Sequence, residues 1–391
     1  MRPLARPPAL AASCAALALL TACGSSLSAD KADSGPAGAA KVALLVPKSG
    51  VYAPLGEDME QGFREYLAEK GDKLGGKTVE VSVVDEGAGP ETGVPAGQKL
   101  AAQADLSAVV GIVNSAVALG LKDTFQEAKK PLIVSNAGAD AITGASRSDY
   151  VWRTSFANGE PAAALGKHVA EQVKGGSVYL IAPDYAAGKE FLDGFEKAFL
   201  AAGGKVAGKA LPPFGKTSNY QPFLAGIQSS GAAAVYAFFA GSEAVSFVKQ
   251  YRELGVKLPL YGTGFLTEGG VLQAQGEAAV GIETSLHYSD QLDTPRNKAF
   301  VAAYRAKYNE APTVYAVQAY DAAQVLDMAL AKGVSGEQIV AGLKAVTSVD
   351  SPRGTWRFSE GHGPKQAYYL RTTQTAGGGL VNAVTGTLAS P

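Results

Sequence analysis

The chain has 391 residues, of which 47% are hydrophobic, and it carries a formal net charge of −1 at pH 7. This length is sufficient for two domains that each bury a core. No long basic run is present, which argues against nucleic acid as a partner because phosphate recognition requires a positively charged surface.

The N-terminal segment has the order of an export signal. Arg2 and Arg6 precede a short apolar run over residues 9–20, and small residues then lead to Cys23. Such an order is typical of a secretory signal, and the run is shorter than the ~20 residues that span a membrane. The Leu-Thr-Ala-Cys sequence ending at Cys23 resembles the lipobox of bacterial lipoproteins, which implies removal of residues 1–22 and lipidation of Cys23. The alternative is an ordinary cleaved signal with an incidental cysteine.

The mature chain is expected to be tethered outside the cytoplasm. The only other cysteine, Cys14, lies inside the signal, so the exported domain has no disulfide and depends on its core for stability. Residues 23–40 are small, polar or Gly/Pro-rich, and such a composition favours a flexible linker. Lipid on Cys23 would then anchor the domain to the cell membrane.

Strands and helices alternate from Lys41 onwards, which predicts an α/β fold with parallel sheets covered on both faces. The predicted strands are 42–46, 79–84, 108–113, 131–135, 150–153, 177–182, 205–211, 233–239, 258–261 and 280–284. The predicted helices are 57–70, 95–104, 116–128, 160–173, 190–201, 220–228, 243–254, 297–308 and 316–331. Segments 354–359 and 366–371 predict an antiparallel hairpin. Two successive α/β units imply two lobes, with a ligand cleft beyond the carboxyl ends of the strands.

Signatures of catalysis are missing. The three histidines, His168, His287 and His362, are far apart, and there is no His-Glu-x-x-His motif, so we expect no metal site and no cofactor. There is no Gly-x-Ser-x-Gly motif either, so an exported hydrolase lacks its nucleophile. Residues 210–217 nearly match a phosphate-binding loop, but Pro212 and Pro213 have no N–H groups to donate.

Polar loops follow several predicted strands. Asn114 and Ser115 open a predicted helix, and Asn136 follows the next strand. Free N–H groups at a helix N-terminus suit a carboxylate, although each loop alone could be only a helix cap. The loops 239–242 and 261–265 are their equivalents in the second half. Two such loops facing two more across a cleft favour a ligand site.

Five segments together resemble the leucine/isoleucine/valine-binding type of type I periplasmic binding protein, namely 41–50, 111–115, 184–188, 247–255 and 315–320. The resemblance covers the chain from about Lys41. It implies two Rossmann-like lobes, residues 41–154 plus 284–351 and residues 155–283 plus 352–391, joined by three crossovers. It also implies a monomer that closes on a small solute and delivers it to an ABC permease and its ATPase. A ligand-sensing receptor domain of the same fold is the alternative function.

The resemblance implies roles for individual residues on the carboxylate side of the site. Ser115 corresponds to the serine that holds the ligand carboxylate, and Asn136 or Ala137 to a backbone contact. The family's threonine at the next contact falls on Gly138, so one hydroxyl is missing. Tyr315 corresponds to an aromatic residue that packs on the ligand side chain.

The chain departs from this family pattern where an amino group would bind. The glutamate that pairs with the ligand ammonium falls on Gly264, and two cleft tyrosines fall on Ala187 and Ala240. A desolvated ammonium without an anion is unfavourable, and the smaller residues widen the site. We therefore predict an aromatic or other hydrophobic carboxylate as the ligand. Glu268 could still supply the missing acid, which leaves an amino acid open.

The segment Phe238-Phe239-Ala240-Gly241 resembles a subgroup of the family associated with aromatic acids. The rings of Tyr52, Tyr185, Phe265 and Tyr315 could contact such a ligand, or could equally be packing residues. The complete set of predicted ligand-binding residues is Tyr52, Leu55, Asn114, Ser115, Asn136, Ala137, Gly138, Tyr185, Ala187, Ala240, Gly264, Phe265 and Tyr315.

Overall fold

A computed structural model describes residues 39–390 of the chain. The predicted signal, the lipidation at Cys23 and nearly all of the tether lie outside these residues.

The first third of the described chain, as far as Arg153, forms a six-stranded sheet in the order β2-β3-β1-β4-β5-β6. Its strands are β1 (Ala40–Val46), β2 (Lys73–Leu74), β3 (Lys77–Asp85), β4 (Ala108–Gly111), β5 (Leu132–Val134) and β6 (Val151–Arg153). All neighbours are parallel except β2, which runs antiparallel to β3. The intervening helices are α1 (Ala53–Glu69), α2 (Pro90–Ala101) and α3 (Ser115–Glu127). The central strand β1 is almost wholly buried, as expected for a parallel strand covered on both faces.

The rest of the described chain builds a seven-stranded sheet in the order β15-β14-β11-β10-β9-β7-β8 and a separate β12–β13 ladder. The strands are β7 (Ser177–Ile181), β8 (Lys205–Ala210), β9 (Ala234–Ala237), β10 (Leu260–Thr263), β11 (Glu283–Leu286), β12 (Arg357–Phe358), β13 (Pro364–Lys365), β14 (Tyr368–Ala376) and β15 (Gly379–Leu388). The helices are α4 (Gly159–Val173), α5 (Ala186–Ala201), α6 (Gln221–Ser229), α7 (Gly241–Glu253), α8 (Gly270–Gln275), α9 (Pro295–Tyr308), α10 (Val314–Leu330) and α11 (Gly336–Lys344). The predicted α/β fold is confirmed, and its sheets are mostly parallel, with β14 and β15 added antiparallel at one edge of the second sheet.

The structure corrects the predicted C-terminal hairpin. Residues 357–358 of the first segment pair with 364–365, as β12 with β13, and residues 368–371 of the second segment belong to β14. The long antiparallel hairpin joins β14 to β15, and its tight turn uses positive φ angles at Gly377 and Gly378, which glycine adopts without strain. The sequence reasoning missed β15 because its residues are mostly half-exposed. It also missed the nine-residue helix α11, whose capping box pairs Ser335 with Gln338.

Helix α2 begins five residues earlier than predicted. Pro90 opens the helix, and Pro95, which was expected to start it, lies inside. A proline in the interior removes one hydrogen bond of the helix, and Pro95 does so in this helix. The earlier start matters for the site, because it moves Pro90 to the cleft end of the helix.

The chain passes between the two sheets three times, after β6, after β11 and between α11 and β14. The second passage follows Leu286, because β11 pairs with β10 and lies wholly in the second sheet. The predicted division at residues 283/284 therefore cuts through a strand. Helices α9 to α11 return to the first sheet. Helix α10 lies against α1, where a Cβ on Gly62 would be only 2.0 Å from the Ala316 carbonyl oxygen, so this close approach requires glycine.

A buried arginine ties these passages together. The Arg353 guanidinium forms an ion pair with Asp321 of α10 at 2.7 Å. It also donates to the Thr154 carbonyl at 2.7 Å and to the Gln366 side chain at 2.6 Å. Arg353 and Asp321 are both almost inaccessible to water. A buried pair of this kind is costly to break, so the network holds the first and third passages at a set spacing.

The order of strands reverses at one point in each sheet. In the first sheet β3 lies on one side of β1 and β4 on the other, and in the second sheet β8 and β9 flank β7 in the same way. Open parallel sheets bind ligands beyond the carboxyl ends of the strands at such points. The loops at the two reversals are those that follow β1, β4, β7 and β9.

Candidate functional site

A cavity of about 300 Å³ lies between the loops at these two reversals. Its volume is at the lower end of the range for small-molecule sites. Eleven of the thirteen predicted site residues line it, namely Tyr52, Leu55, Asn114, Ser115, Asn136, Gly138, Tyr185, Ala187, Ala240, Phe265 and Tyr315. Residues from both sheets thus contribute to one cavity.

The first-sheet side of the cavity presents hydrogen-bond donors at the start of α3. Asn114 caps the helix, since its side chain accepts from the Ala116 N–H at 2.9 Å. The Ser115 hydroxyl accepts from the Ala139 N–H at 3.1 Å, which leaves its own proton to donate. Within residues 39–390 the backbone N–H groups of Ser115 and Gly138 make no hydrogen bond. These groups suit a carboxylate oxygen, and the helix dipole adds to the attraction.

Backbone strain positions this group of donors. Gly111 has φ +137° and Ile112 has φ +70°, although a β-branched residue rarely adopts a positive φ. The strain is held because the Ile112 N–H donates to the Leu45 carbonyl at 2.8 Å and its carbonyl accepts from Ala137 at 2.9 Å. Strained backbone persists where surrounding contacts over-determine it, and it is common at functional sites.

A buried carboxyl group lies directly behind the donors. The two oxygens of Glu86 accept from the Val113 and Asn114 N–H groups, each at 2.8 Å. Glu86 is 1% exposed, and burial raises its pKa to about 7. Its charge near neutral pH therefore changes the potential at the start of α3, because a carboxylate there opposes a bound anion.

Aromatic rings form the rest of the wall. The phenyl rings of Phe191 and Phe238 stack at 3.9 Å between centroids, and Phe265 lies 4.9 Å from Phe156 and 6.2 Å from Tyr315. Rings at these distances favour offset or edge contacts with another ring. The cavity therefore has one polar end and an apolar body lined by aromatic rings.

Rings from the two sides meet at the mouth of the cavity. The hydroxyl groups of Tyr52, which follows β1, and Tyr185, which precedes α5, lie near enough to affect each other's pKa. Burial raises the pKa of Tyr52 to about 12. Phe214 stacks on Tyr185 at 4.2 Å, and it comes from the 210–217 segment that imitates a phosphate-binding loop. Aromatic side chains from both sides of the cleft therefore line this end of the cavity.

No charged side chain lines the cavity among residues 39–390. Gly264, predicted to mark a lost ammonium site, is not part of the lining. Its carbonyl accepts from the Arg371 guanidinium at 3.0 Å, and a Cβ on it would be 2.4 Å from an Arg371 nitrogen and 2.6 Å from Leu286. The position thus has a buried cation behind it and no room for a side chain.

Glu268 does not replace the missing acid. It is 6% exposed, forms an ion pair with Arg371 at 2.9 Å, and accepts from the Val314 N–H at 2.7 Å. It faces a different pocket, between α8, α9 and the β14–β15 turn. Both of its oxygens are already used, so it is not available to a ligand in the cleft.

Ala137 also falls outside the cavity, although the resemblance implied a contact there as an alternative to Asn136. Ala137 is 1% exposed, its N–H donates to Ile112, and its carbonyl accepts from the Ser155 hydroxyl at 3.3 Å. Asn136 does line the cavity, and its amide donates to Gln318 at 2.9 Å. Asn136 and Gly138 therefore face the cavity, and Ala137 between them faces away from it. The sequence pattern did not indicate which of these residues would face the ligand.

Sequence reasoning missed nine of the twenty residues that line the cavity. Two of them, Phe156 and Asn158, lie against Gly138. Both belong to the first passage between the sheets, and a Cβ on Gly138 would be 2.1 Å from the Asn158 side-chain oxygen and 2.5 Å from the Phe156 ring. Asn158 thus occupies the space of the side chain that Gly138 lacks. It donates to Glu190 at 2.7 Å. The segment that contains Phe156 and Asn158 is irregular, so no spacing of residues predicts which of its side chains face the cavity. Phe191 also lines the cavity, although the sequence indicated only that it lies on the buried face of a helix.

The fold and the cavity together define a binding protein that encloses a small solute between two α/β halves. The family model described as periplasmic binding protein matches residues 39–378, and the chain belongs to this family, in its type I branch with the branched-chain amino acid binding proteins. The resemblance inferred from the sequence is confirmed, as is the prediction that the chain is a binding protein rather than an enzyme.

Relatives cover most of the chain. A Leu/Ile/Val-binding protein homolog 6 of Brucella melitensis is 30% identical over 350 residues, which are 87% of this chain and 88% of the relative. A solute-binding protein of an ABC transporter from R. palustris, solved with benzoate, is 38% identical with a TM-score of 0.82 over 90% of this chain and 98% of its own. Another from Rhodopseudomonas palustris HaA2, solved with p-hydroxybenzoic acid, is 31% identical with a TM-score of 0.84 over 90% and 98%.

These findings identify the chain as a solute-binding protein of the ABC transporter type that works outside the cytoplasm. Among the described residues no helix combines the length and apolarity that crossing a bilayer would need.

Proposed function

We propose that the chain binds a small aromatic carboxylate, with the carboxylate at the start of α3 and the ring between the phenylalanines. One observation carries this proposal. The cavity joins the free donors of Ser115 and Gly138 to eight aromatic side chains and includes no charged side chain among the described residues. A zwitterion would bring an ammonium group into this site without a partner, and a buried unpaired charge is strongly unfavourable. Benzoate and p-hydroxybenzoate in two relatives support the same ligand class.

Ligand pairs that differ by one group test the proposal. Isothermal titration calorimetry would compare benzoate with benzamide, which lacks the charge, and 4-methylpentanoate with leucine, which adds only the ammonium. We expect benzoate to bind most tightly, and leucine to bind far more weakly than 4-methylpentanoate. In a thermal shift, a ligand at about 100 times its Kd adds about 2.7 kcal/mol of stability. Binding of leucine with no binding of benzoate would contradict the proposal.

The proposed cycle includes closure, anchoring and delivery. We infer that a first lobe, residues 41–154 plus 284–351, closes on a second lobe, residues 155–283 plus 352–391. Because β11 belongs to the second sheet, the boundary at 283/284 is better placed after Leu286. The chain is a monomer in this scheme, held to the membrane by lipid on Cys23. Mass spectrometry of the mature N-terminus tests the anchor, and Cys23→Ala should release the protein from the membrane fraction.

Membership of the family supports delivery of the ligand to a permease as the next step of the proposal. The closed, loaded form is the one expected to dock, because a ligand stabilises whichever state it binds better. Stimulation of the ATPase of the reconstituted permease by the loaded protein, and not by a Ser115→Ala variant at the same ligand concentration, would support this step. Equal stimulation by both proteins would contradict it.

A further inference from the structure

A second pocket, of about 650 Å³, lies beside the passages between the two sheets. Within residues 39–390 it shares no lining residue with the cleft cavity. Its wall includes Thr143 and Arg153 near the end of the first sheet, Glu160 of α4, and Gly363 and Lys365 of the β12–β13 ladder. It is therefore a separate place on the molecule, which the proposed transport function does not use.

Arg153 in this pocket lacks the partners that a buried guanidinium requires. It is 3% exposed. One terminal nitrogen donates to the Ala139 carbonyl at 2.9 Å. The Nε atom and the other terminal nitrogen make no hydrogen bond to the described residues. No described carboxylate is within 4.0 Å of Arg153, whereas the buried Arg353 and Arg371 have carboxylates at 2.7 and 2.9 Å.

The surrounding charges limit what could satisfy Arg153. Burial lowers the pKa of Arg153, but a guanidinium stays protonated at neutral pH, so the site retains a positive charge. The carboxyl groups of Glu160, Asp140 and Glu190 act on it from beyond ion-pair distance. One oxygen of Glu160 is already engaged, because Oε2 accepts from the Tyr368 hydroxyl at 2.7 Å and the Ala157 N–H at 3.2 Å. Three nearby acids would repel a doubly charged ion, so the site favours a single negative charge.

We propose that this pocket is a second ligand site, in which Arg153 binds a small singly charged oxyanion such as a carboxylate. Charge-assisted hydrogen bonds from a guanidinium to a carboxylate are among the stronger polar contacts in proteins. The Thr143 hydroxyl and the Lys365 ammonium, which also line the pocket, supply further donors. The site spans segments that connect the two sheets, so an anion there contacts both halves of the molecule.

Fluorine NMR with trifluoroacetate as the probe tests this site directly. We expect the probe signal to broaden and shift on addition of the protein, and acetate to reverse the change by competition. Because the proposed cleft site also takes carboxylates, the test is made in the Ser115→Ala protein, which should retain the change, and adding Arg153→Gln to that protein should abolish it. The two variants thereby separate the second site from the cleft and from the proposed transport function.

A third variant blocks the pocket while keeping the charge. A Cβ on Gly363 would lie 3.6 Å from a terminal nitrogen of Arg153 and 3.2 Å from the Thr143 hydroxyl. Gly363→Ala should therefore weaken trifluoroacetate binding at least tenfold, and it keeps the proposal testable if Arg153→Gln does not fold. The proposal would be overturned if the wild-type protein did not broaden the probe signal. It would also be overturned if Arg153→Gln or Gly363→Ala left the broadening unchanged, or if only Ser115→Ala removed it.

Discussion

Glu268→Gln should destabilise the protein severely, because it leaves the Arg371 guanidinium buried without a counter-charge. Glu268 and Arg371 are 2.9 Å apart, with side chains 6% and 1% exposed. Breaking a buried ion pair from one side costs about 3–5 kcal/mol, a large share of a typical stability of about 5–15 kcal/mol. The glutamine can still accept from the Val314 N–H, so the substitution removes mainly the charge.

Urea unfolding followed by tryptophan fluorescence measures this effect. Glu337→Gln is the matched control, since Glu337 pairs with Lys129 at 3.1 Å while both side chains are about two-thirds exposed. Such a surface pair contributes about 0–1 kcal/mol. A double-mutant cycle with Arg371→Met should give a coupling energy above about 1 kcal/mol.

Equal small losses for Glu268→Gln and Glu337→Gln would refute the reasoning. Ligand binding by Glu268→Gln is a second measurement, and it distinguishes a structural role of Glu268 from contact with the ligand. If Glu268 held a ligand ammonium, Glu268→Gln would weaken amino acid binding without much loss of stability. We expect the opposite, a large loss of stability with the preference of carboxylate over amino acid unchanged.

Three further predictions concern the cleft. Ser115→Ala should raise the Kd for an aromatic carboxylate about 10- to 100-fold in calorimetry, since a hydrogen bond to a charged group contributes about 1.5–3 kcal/mol, and a change below threefold would contradict the assigned role. The affinity of the wild-type protein for an aromatic carboxylate should fall as pH rises from 6 to 8. The reason is that Glu86, with a pKa of about 7, is neutral below this range and an anion above it. The affinity of Glu86→Gln should not change over the same range. Gly264→Glu should destabilise the protein, because its side chain would clash with Arg371 and Leu286, and it should not create leucine binding. A stable Gly264→Glu protein that binds leucine would contradict this prediction.

The pH dependence also applies to stability. Burial raises the pKa of both Glu86 and Asp58 to about 7 in the folded protein, above the values near 4 that carboxyl groups have in an unfolded chain. A raised pKa means that the folded state holds these protons more tightly, so stability is greatest below about pH 4 to 5 for these two groups and falls as pH rises towards 7. Denaturation of Glu86→Gln should show a smaller fall over this range.

Local patterns in the sequence were sufficient for the order of elements. Apolar runs such as β1 and helical stripes such as that of α5 are set by residue spacing, and alternation of strands and helices requires parallel sheets. The donors at the start of α3 were also predictable, because Asn114 and Ser115 stand where a strand ends and a helix begins. Short or half-exposed elements, such as α11 and β15, carry too weak a pattern to be assigned.

The sequence by itself determined the fold class, the likeness to the family, and the polar residues that stand after β4, because each depends on neighbours along the chain. Only the tertiary structure decided what surrounds these polar residues. Arg371 fills the space beside Gly264 from more than 100 residues away, and Phe156 and Asn158 close the cavity from an irregular passage between the sheets. Such contacts depend on the order of strands in each sheet and on how the two halves close, and no local pattern of residues encodes either of these.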